Sequence, residues 1–360
     1  MAEMLQTIKG AWKAPELRKK ILFTVFILLI YRLGNAVPVP YVDVAALKEY
    51  FDTTLSSTVL GLYNAMSGSA FSRATVFALS INPYINSSII MQLLCIAIPQ
   101  LERLQKDGGE EGRKKIASIT RYVTLGLALI MGFAYYSMLR NYGLLTQTGV
   151  LTGIVIVITF TAGSAFIMWL GEQITEFGIG NGISIILFAS IISRIPSTVS
   201  SAITNIAGGA QSIGGVLVIL GLALGLVDVI VFVNDSERRI PIQYAKQMRG
   251  RKMYGGQSTF LPIKVNMSGV MPIIFAQSIA SLPATILAFN NPANDWKFTT
   301  IMRTITDTNG VLYAIVYFLL IIAFGYFYAA IQYNPIEIAN NLKKNGGYIP
   351  GFRAGRPTAE

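Results

Sequence analysis

The chain contains no histidine, a single cysteine, and few charges for its length: 13% of its 360 residues are Asp, Glu, Lys or Arg. Without histidine, the commonest general base and transition-metal ligand is gone, and Cys95 alone cannot assemble a thiolate site, so no metal is expected. One cysteine also excludes an intrachain disulfide. No GxxxxGK[ST] phosphate loop occurs, so any energy input must come from a partner or an ion gradient. The alternating segments of roughly 10 residues that build a transmembrane β-barrel are absent. No cofactor and no enzymatic activity are expected.

What the chain has instead is hydrocarbon. Its composition is 53% hydrophobic with a mean hydropathy of +0.54, well outside the range of soluble domains. Apolar runs fall at about 21–37, 74–98, 116–139, 150–170, 178–195, 214–233, 269–289 and 311–331. Several reach the ~20 residues that a helix needs to cross a bilayer. The expected fold class is all-α, a polytopic helical membrane protein with about eight spans. The basic residues sort by side. Of 29 Lys and Arg, 21 lie in the N-terminal arm and in alternate loops, and six on the opposite face. Basic loops are retained in the cytoplasm, which places both termini there. The first run follows a basic arm (1–20) but lacks a small-residue cleavage site, and reads as a retained span. The +11 net charge suits basic loops lying beside anionic membrane lipids.

Several segments are irregular. Thr58–Arg73 is short, mildly amphipathic and weakened by Gly61 and Gly68. It reads either as an interfacial helix leading into a kinked span or as a short helix folded back into a cavity from the external side. The span after it carries Asn82-Pro83 and the polar string Asn86-Ser87-Ser88, tolerated at membrane depth only against protein or water. Gly178–Gly182 permits a tight, close-packed start to the fifth run, where Ile183 and Leu187 share a helix face, as Ile85 and Ile89 do in the second. Charge within spans is scarce: Asp228 and Arg32 stand out, with Arg121 and Arg194 near the edges of their runs; Arg32 can snorkel, and Asp228 has no assigned role. A proton- or sodium-coupled pump would place more ionisable groups at mid-depth. In the 234–268 loop, Arg238–Ala245 and Phe260–Val265 alternate as strands do, predicting a two-stranded arm tipped by Arg249, Arg251 and Lys252. Such an arm suits phosphate-rich RNA or an acidic protein surface.

Longer strings carry a resemblance. Arg239–Lys246 (RIPIQYAK), Gln257–Thr259 with Lys264–Val270 (KVNMSGV), Gly178–Ser184 (GIGNGIS), Pro83–Ile85 with Ile89–Leu93, Glu110–Lys115 (EEGRKK) and Gly346–Gly355 (GGYIPGFRAG) resemble the bacterial SecY family of protein-conducting channels. The likeness runs from the first span to the last residue. It implies an hourglass pore between two pseudo-symmetric halves: 21–195 with spans 1–5, and a second half opening with spans 6–8 over 196–331. It implies an apolar ring of Ile85, Ile89, Ile183, Leu187 and Ile274, with Leu187 a volume-conserving replacement for the usual isoleucine. It also implies a plug at about 58–73 including Gly61, Leu62, Tyr63, Met66 and Gly68. A lateral gate would open between spans 2–3 and 7–8, with Ser87, Gln92 and Gln277 as its polar candidates.

The implied function is passage of unfolded secretory polypeptides and lateral release of signal and transmembrane helices into lipid. The implied partners are SecE, SecG, the SecA motor, the ribosome with its RNA, the signal-recognition pathway, and secretory and membrane protein clients. The 234–268 arm and the 332–360 loop would dock SecA or the ribosome through Arg249, Arg251, Lys252 and Arg353. The family has ten spans; the last two, with a sixth ring position, would follow Glu360, so a full-length form is expected to translocate and this 360-residue form is not.

Three other classes fit less well. A small-solute transporter needs a polar midplane site, and only scattered Asn, Ser and Thr are available. An intramembrane protease lacks its paired aspartates. A dedicated RNA-binding protein would not spread its basic residues among loops between spans.

Overall fold

The computed structural model describes residues 12–56, 58–106, 108–209, 212–244, 247–249, 252–254, 258–289, 304–308, 310–332, 335–353 and 355–359. It divides into two compact units, one of residues 1–201 with 278–316 and one of 202–277 with 317–360.

The first unit opens with α1 (Pro15–Gly34), begun by a proline in its first turn. After the short α2 (Val44–Tyr50), capped by the Asp43 carboxylate, a single π-helical turn leads to α3 (Val59–Met66). Next come α4 (Asn82–Ala97), α5 (Pro99–Lys106), α6 (Gly109–Asn141), α7 (Val150–Phe177), α8 (Gly182–Ile192) and α9 (Ile195–Ala207), whose residues 202–207 belong to the second unit. The second unit carries α10 (Ile213–Asp235), then β1 (Glu237–Tyr244), β2 (Gln247–Arg249), β3 (Lys252–Tyr254) and β4 (Ser258–Lys264). The chain continues through α11 (Met271–Phe289) and α12 (Val311–Gln332), each divided between the units. It ends with α13 (Pro335–Lys344), β5 (Gly347–Tyr348) and α14 (Arg356–Ala359).

Each of the eight apolar runs contributes a helix, but among the described residues only five helical stretches are long and apolar enough to cross a membrane, or six if the bent α4–α5 pair is one span. The shortfall has a physical source. Helix α1 starts inside the basic arm with Arg18, Lys19 and Lys20, and the apolar stretch of α11 is short, Met271–Pro283.

The second run also differs from its expected form. It is not one span kinked at Pro83. Residues 74–81 are a chain of turns, with Ala74 (φ 45°) and Ser80 (φ 51°) left-handed. Pro83 then sits in the first turn of α4, where its missing N–H has no helical partner to lose. The break comes at the other end, where α4 and α5 meet at 107° ahead of Pro99.

The core of the first unit joins α2, α3, α6, α7 and the turn after α3. Phe71 stacks on Tyr135 at 4.4 Å, and Tyr135 packs against Phe160 at 5.0 Å. Leu47, Leu139, Ile156 and Phe160 are fully buried around them. In lipid such contacts hold helices by close packing and not by exclusion from water. By contrast, no residue of α10 is buried, and apart from Asp228 its body is apolar all round, as a lipid-facing span is.

Candidate channel wall and gate

Two helix starts position the four ring candidates of the first unit. At α8 the Asn181 side chain accepts from the N–H groups of Ile183 (3.1 Å) and Ser184 (3.3 Å). The Gly182 N–H donates to Thr175 Oγ1 at 2.9 Å. A Cβ on Gly182 would lie 2.0 Å from the Gly171 carbonyl oxygen, so only glycine lets α8 start this close to α7. Behind the exposed side of α8, Ile186 is buried and Ser190 shares a 2.6 Å hydrogen bond with the Tyr31 hydroxyl of α1. Ile183 and Leu187, one turn apart, stay half-buried. On α4, Ile85 and Ile89 are each 9% exposed. Ile274 is half-buried on α11, in the second unit.

Ile183 lines a cavity of about 480 Å³ together with Tyr84, the neighbour of Ile85. Apart from Trp169, its remaining wall is polar and includes Arg121, Glu172, Glu176 and Asn181. An apolar position thus opens onto a polar vestibule. The Arg121 Nε donates to Glu172 Oε1 at 2.8 Å, joining α6 to α7. With side-chain exposures of 51% and 27%, this pair is only partly covered by protein. Glu172→Ala is expected to cost at most about 1 kcal/mol in thermal unfolding; a larger loss would show that the vestibule is drier than this exposure implies.

Within the 58–73 segment, α3 is a short helix packed against its neighbours. Val59, Tyr63 and Asn64 of α3 are buried, and Thr58 Oγ1 caps it by accepting from the Leu60 N–H. Gly61 is required, because a Cβ there would lie 2.2 Å from the Ser56 carbonyl oxygen. Leu62 is exposed and Met66 half-buried. Gly68, at φ +66°, lies against the Ser190 carbonyl of α8, 3.0 Å from where its Cβ would be. Asn64 Oδ1 accepts from the Ser72 N–H at 2.9 Å, and the Tyr135 hydroxyl donates to the Phe71 carbonyl, closing the segment onto α6. Burial pushes the Tyr63 phenol up.

The gate candidates divide. Ser87 is fully buried and donates to the Thr120 carbonyl at 2.7 Å, which turns it toward α6. Gln92 is half-buried on α4, and Gln277 is half-buried on α11 in the second unit. The residue that does reach from α4 to α11 is Asn86, whose Oδ1 accepts from Ser278 Oγ at 2.7 Å. Sequence reasoning placed Asn86 in a polar string but had no means of pairing it with a serine 192 positions away.

In the second unit β1 and β4 pair antiparallel, Glu237 opposite Lys264 through Gln243 opposite Ser258. Arg249 and Lys252 face each other across β2 and β3, while Arg251 lies outside the described residues. The unforeseen element is β5. It adds to the free edge of β1, Gln243 opposite Tyr348, and the Tyr348 hydroxyl donates to Gln243 Oε1 at 3.0 Å. Arg353 follows, exposed.

The SecY family model matches residues 75–360. The translocase subunit SecY of Streptomyces scabiei is 45% identical over 370 residues, covering 99% of this chain and 84% of that protein. The chain belongs to the SecY family. The SecY of Escherichia coli K12 is 41% identical, covering 99% of this chain and 80% of its own length. A solved protein-conducting channel superposes with a TM-score of 0.64 at 17% identity, covering 95% of this chain and 80% of that one. Sec61 in the canine ribosome–channel complex does so at 0.60 and 17%, covering 93% and 77%. The expected fold and family thus hold: this is a mostly helical, multi-pass, non-enzymatic channel subunit of the Sec protein translocase.

Proposed function

We propose that α4 and α8 form one wall of the SecY constriction, with Ile85, Ile89, Ile183 and Leu187 as its apolar lining. The observation that carries this is the position of Ile183, which faces a vestibule shared with Tyr84, Arg121 and Glu172. A channel for unfolded chains of any sequence needs a smooth apolar waist, which also hinders ions by dewetting. Ile274 enters the ring on the resemblance alone. In this reading α3 is the plug, and the Asn86–Ser278 hydrogen bond is a polar latch of the lateral gate, in addition to Gln92 and Gln277. Ser87 acts from behind by fixing α4 on α6.

The β1–β4 arm, with Arg249, Arg251, Lys252 and Arg353, is the docking surface for the ribosome or SecA. SecE and SecG complete the complex in a bacterial plasma membrane, with both termini cytoplasmic. The alternating charge of the loops supports that orientation.

The test is photo-crosslinking within a complex that includes SecE. A photoreactive residue at 85, 183 or 274 is expected to capture a stalled secretory chain, and one at the exposed Phe26 of α1 is not. Capture at 26 with none at 85 or 183 would remove these residues from the channel wall.

A further inference from the structure

A second cavity, of about 580 Å³, lies where the end of α6 meets the start of α7, apart from the wall and gate residues. Its size falls within the roughly 300–1,000 Å³ usual for bound small ligands. The loop joining these helices belongs to the face that holds only six of the 29 basic residues. Deeper along the two helices the cavity is lined by Phe133, Ile154 and Ile158, each more than half exposed. Gly153 shapes it: a Cβ there would come within 2.9 Å of the Tyr136 ring, so that ring packs directly on the α7 backbone.

The loop end is polar. Arg140 lines the cavity, is exposed, and has no ion pair or side-chain hydrogen bond among the described residues. Gly149 also lines it and is the N-cap of the 28-residue α7, with no side chain to satisfy the first N–H groups. A guanidinium and a helix N-terminus both favour an anion, and the apolar trough leading away from them favours hydrocarbon. One molecule joins those two requirements at a membrane surface.

We propose that this cavity binds an anionic phospholipid of the external leaflet. Its phosphate contacts Arg140 and the α7 N-terminus, and an acyl chain lies along Phe133, Ile154 and Ile158. The charge of Arg140 then has a partner on a face where insertion does not call for one.

The probe is phosphatidylglycerol with a photoactivatable acyl chain, used with the complete channel complex in vesicles, and the label is mapped by peptide mass spectrometry. Residues 133–158 are expected to be labelled. Arg140→Gln is expected to lower that label by about fivefold or more, as loss of a charge-assisted contact does, while label near the basic 99–115 loop stays unchanged. Arg140→Lys keeps most of it, and Ile158→Trp, which fills the trough and leaves the charge, loses it. Equal labelling of Arg140→Gln, or equal labelling by the matched phosphatidylcholine probe, would overturn the proposal. Displacement by inorganic phosphate would also overturn it, by marking a free-phosphate site.

Discussion

Replacing Ile85 and Ile183 together with aspartate is expected to make the resting channel leak ions. Ile183 of α8 lines a cavity whose wall also carries Arg121, Glu172 and Glu176, and Ile85 of α4 is the chain neighbour of Tyr84 in the same lining. In the reading proposed above, water and ions enter from that cavity and the barrier is the apolar stretch that these residues form. Carboxylates there would hold water in the constriction and remove the dewetting barrier. Lowering a barrier by ~1.4 kcal/mol raises a flux tenfold, so efflux of a small anion from vesicles should rise by at least about tenfold. The Ile85→Val, Ile183→Val pair keeps an apolar wall and should stay tight. An aspartate variant that is folded and no leakier than its parent would take these residues out of the constriction.

Gly163→Val is expected to cost about 3 kcal/mol or more and to lower the amount of folded protein sharply. A Cβ at position 163 would lie 2.0 Å from the Val76 carbonyl oxygen and 3.1 Å from its side chain. The obstacle is backbone and cannot rotate away. It belongs to the 74–81 turns, whose Val76 N–H donates to the Val37 carbonyl and whose Ser80 carbonyl accepts from Ser164. Moving that segment would displace the start of α4, and Ile85 with it. Gly126 on α6 is the contrast, with nothing within 4 Å of its would-be Cβ. Gly126→Ala should be neutral or stabilising by up to about 1 kcal/mol. The comparison is made by thermal unfolding in detergent, and equal midpoints for Gly163→Val and the parent would refute the close-packing account.

Legibility in the sequence followed the range of the forces involved. The arm could be read because alternation in β1 and β4 is a local property, and the pairing of Glu237 with Lys264 follows it. The tight start of α8 was legible in the local glycine run Gly178–Gly182, whereas the Asn181 cap was not read from the sequence. Pro83 was misjudged because a proline signals a break without saying on which side the helix continues. Two features were out of reach. The Asn86–Ser278 hydrogen bond and the β5 edge depend on side chains and strands brought together from distant parts of the chain. A two-residue strand such as Gly347–Tyr348 has no periodicity of its own to detect.

That short strand makes the second unit's extramembrane part mechanically stiff. Without β5 the arm would be a hairpin hinged at its two feet, free to bow under load while the 332–360 loop moved independently. With Tyr348 bonded to Gln243 through both backbone register and side chain, a push on the arm is shared by three roots: α10 and α11 at the hairpin's feet, and α13 behind β5. A motor working there would act on a braced tripod. Lengthening either loop by one residue would shift the other's register and twist the brace.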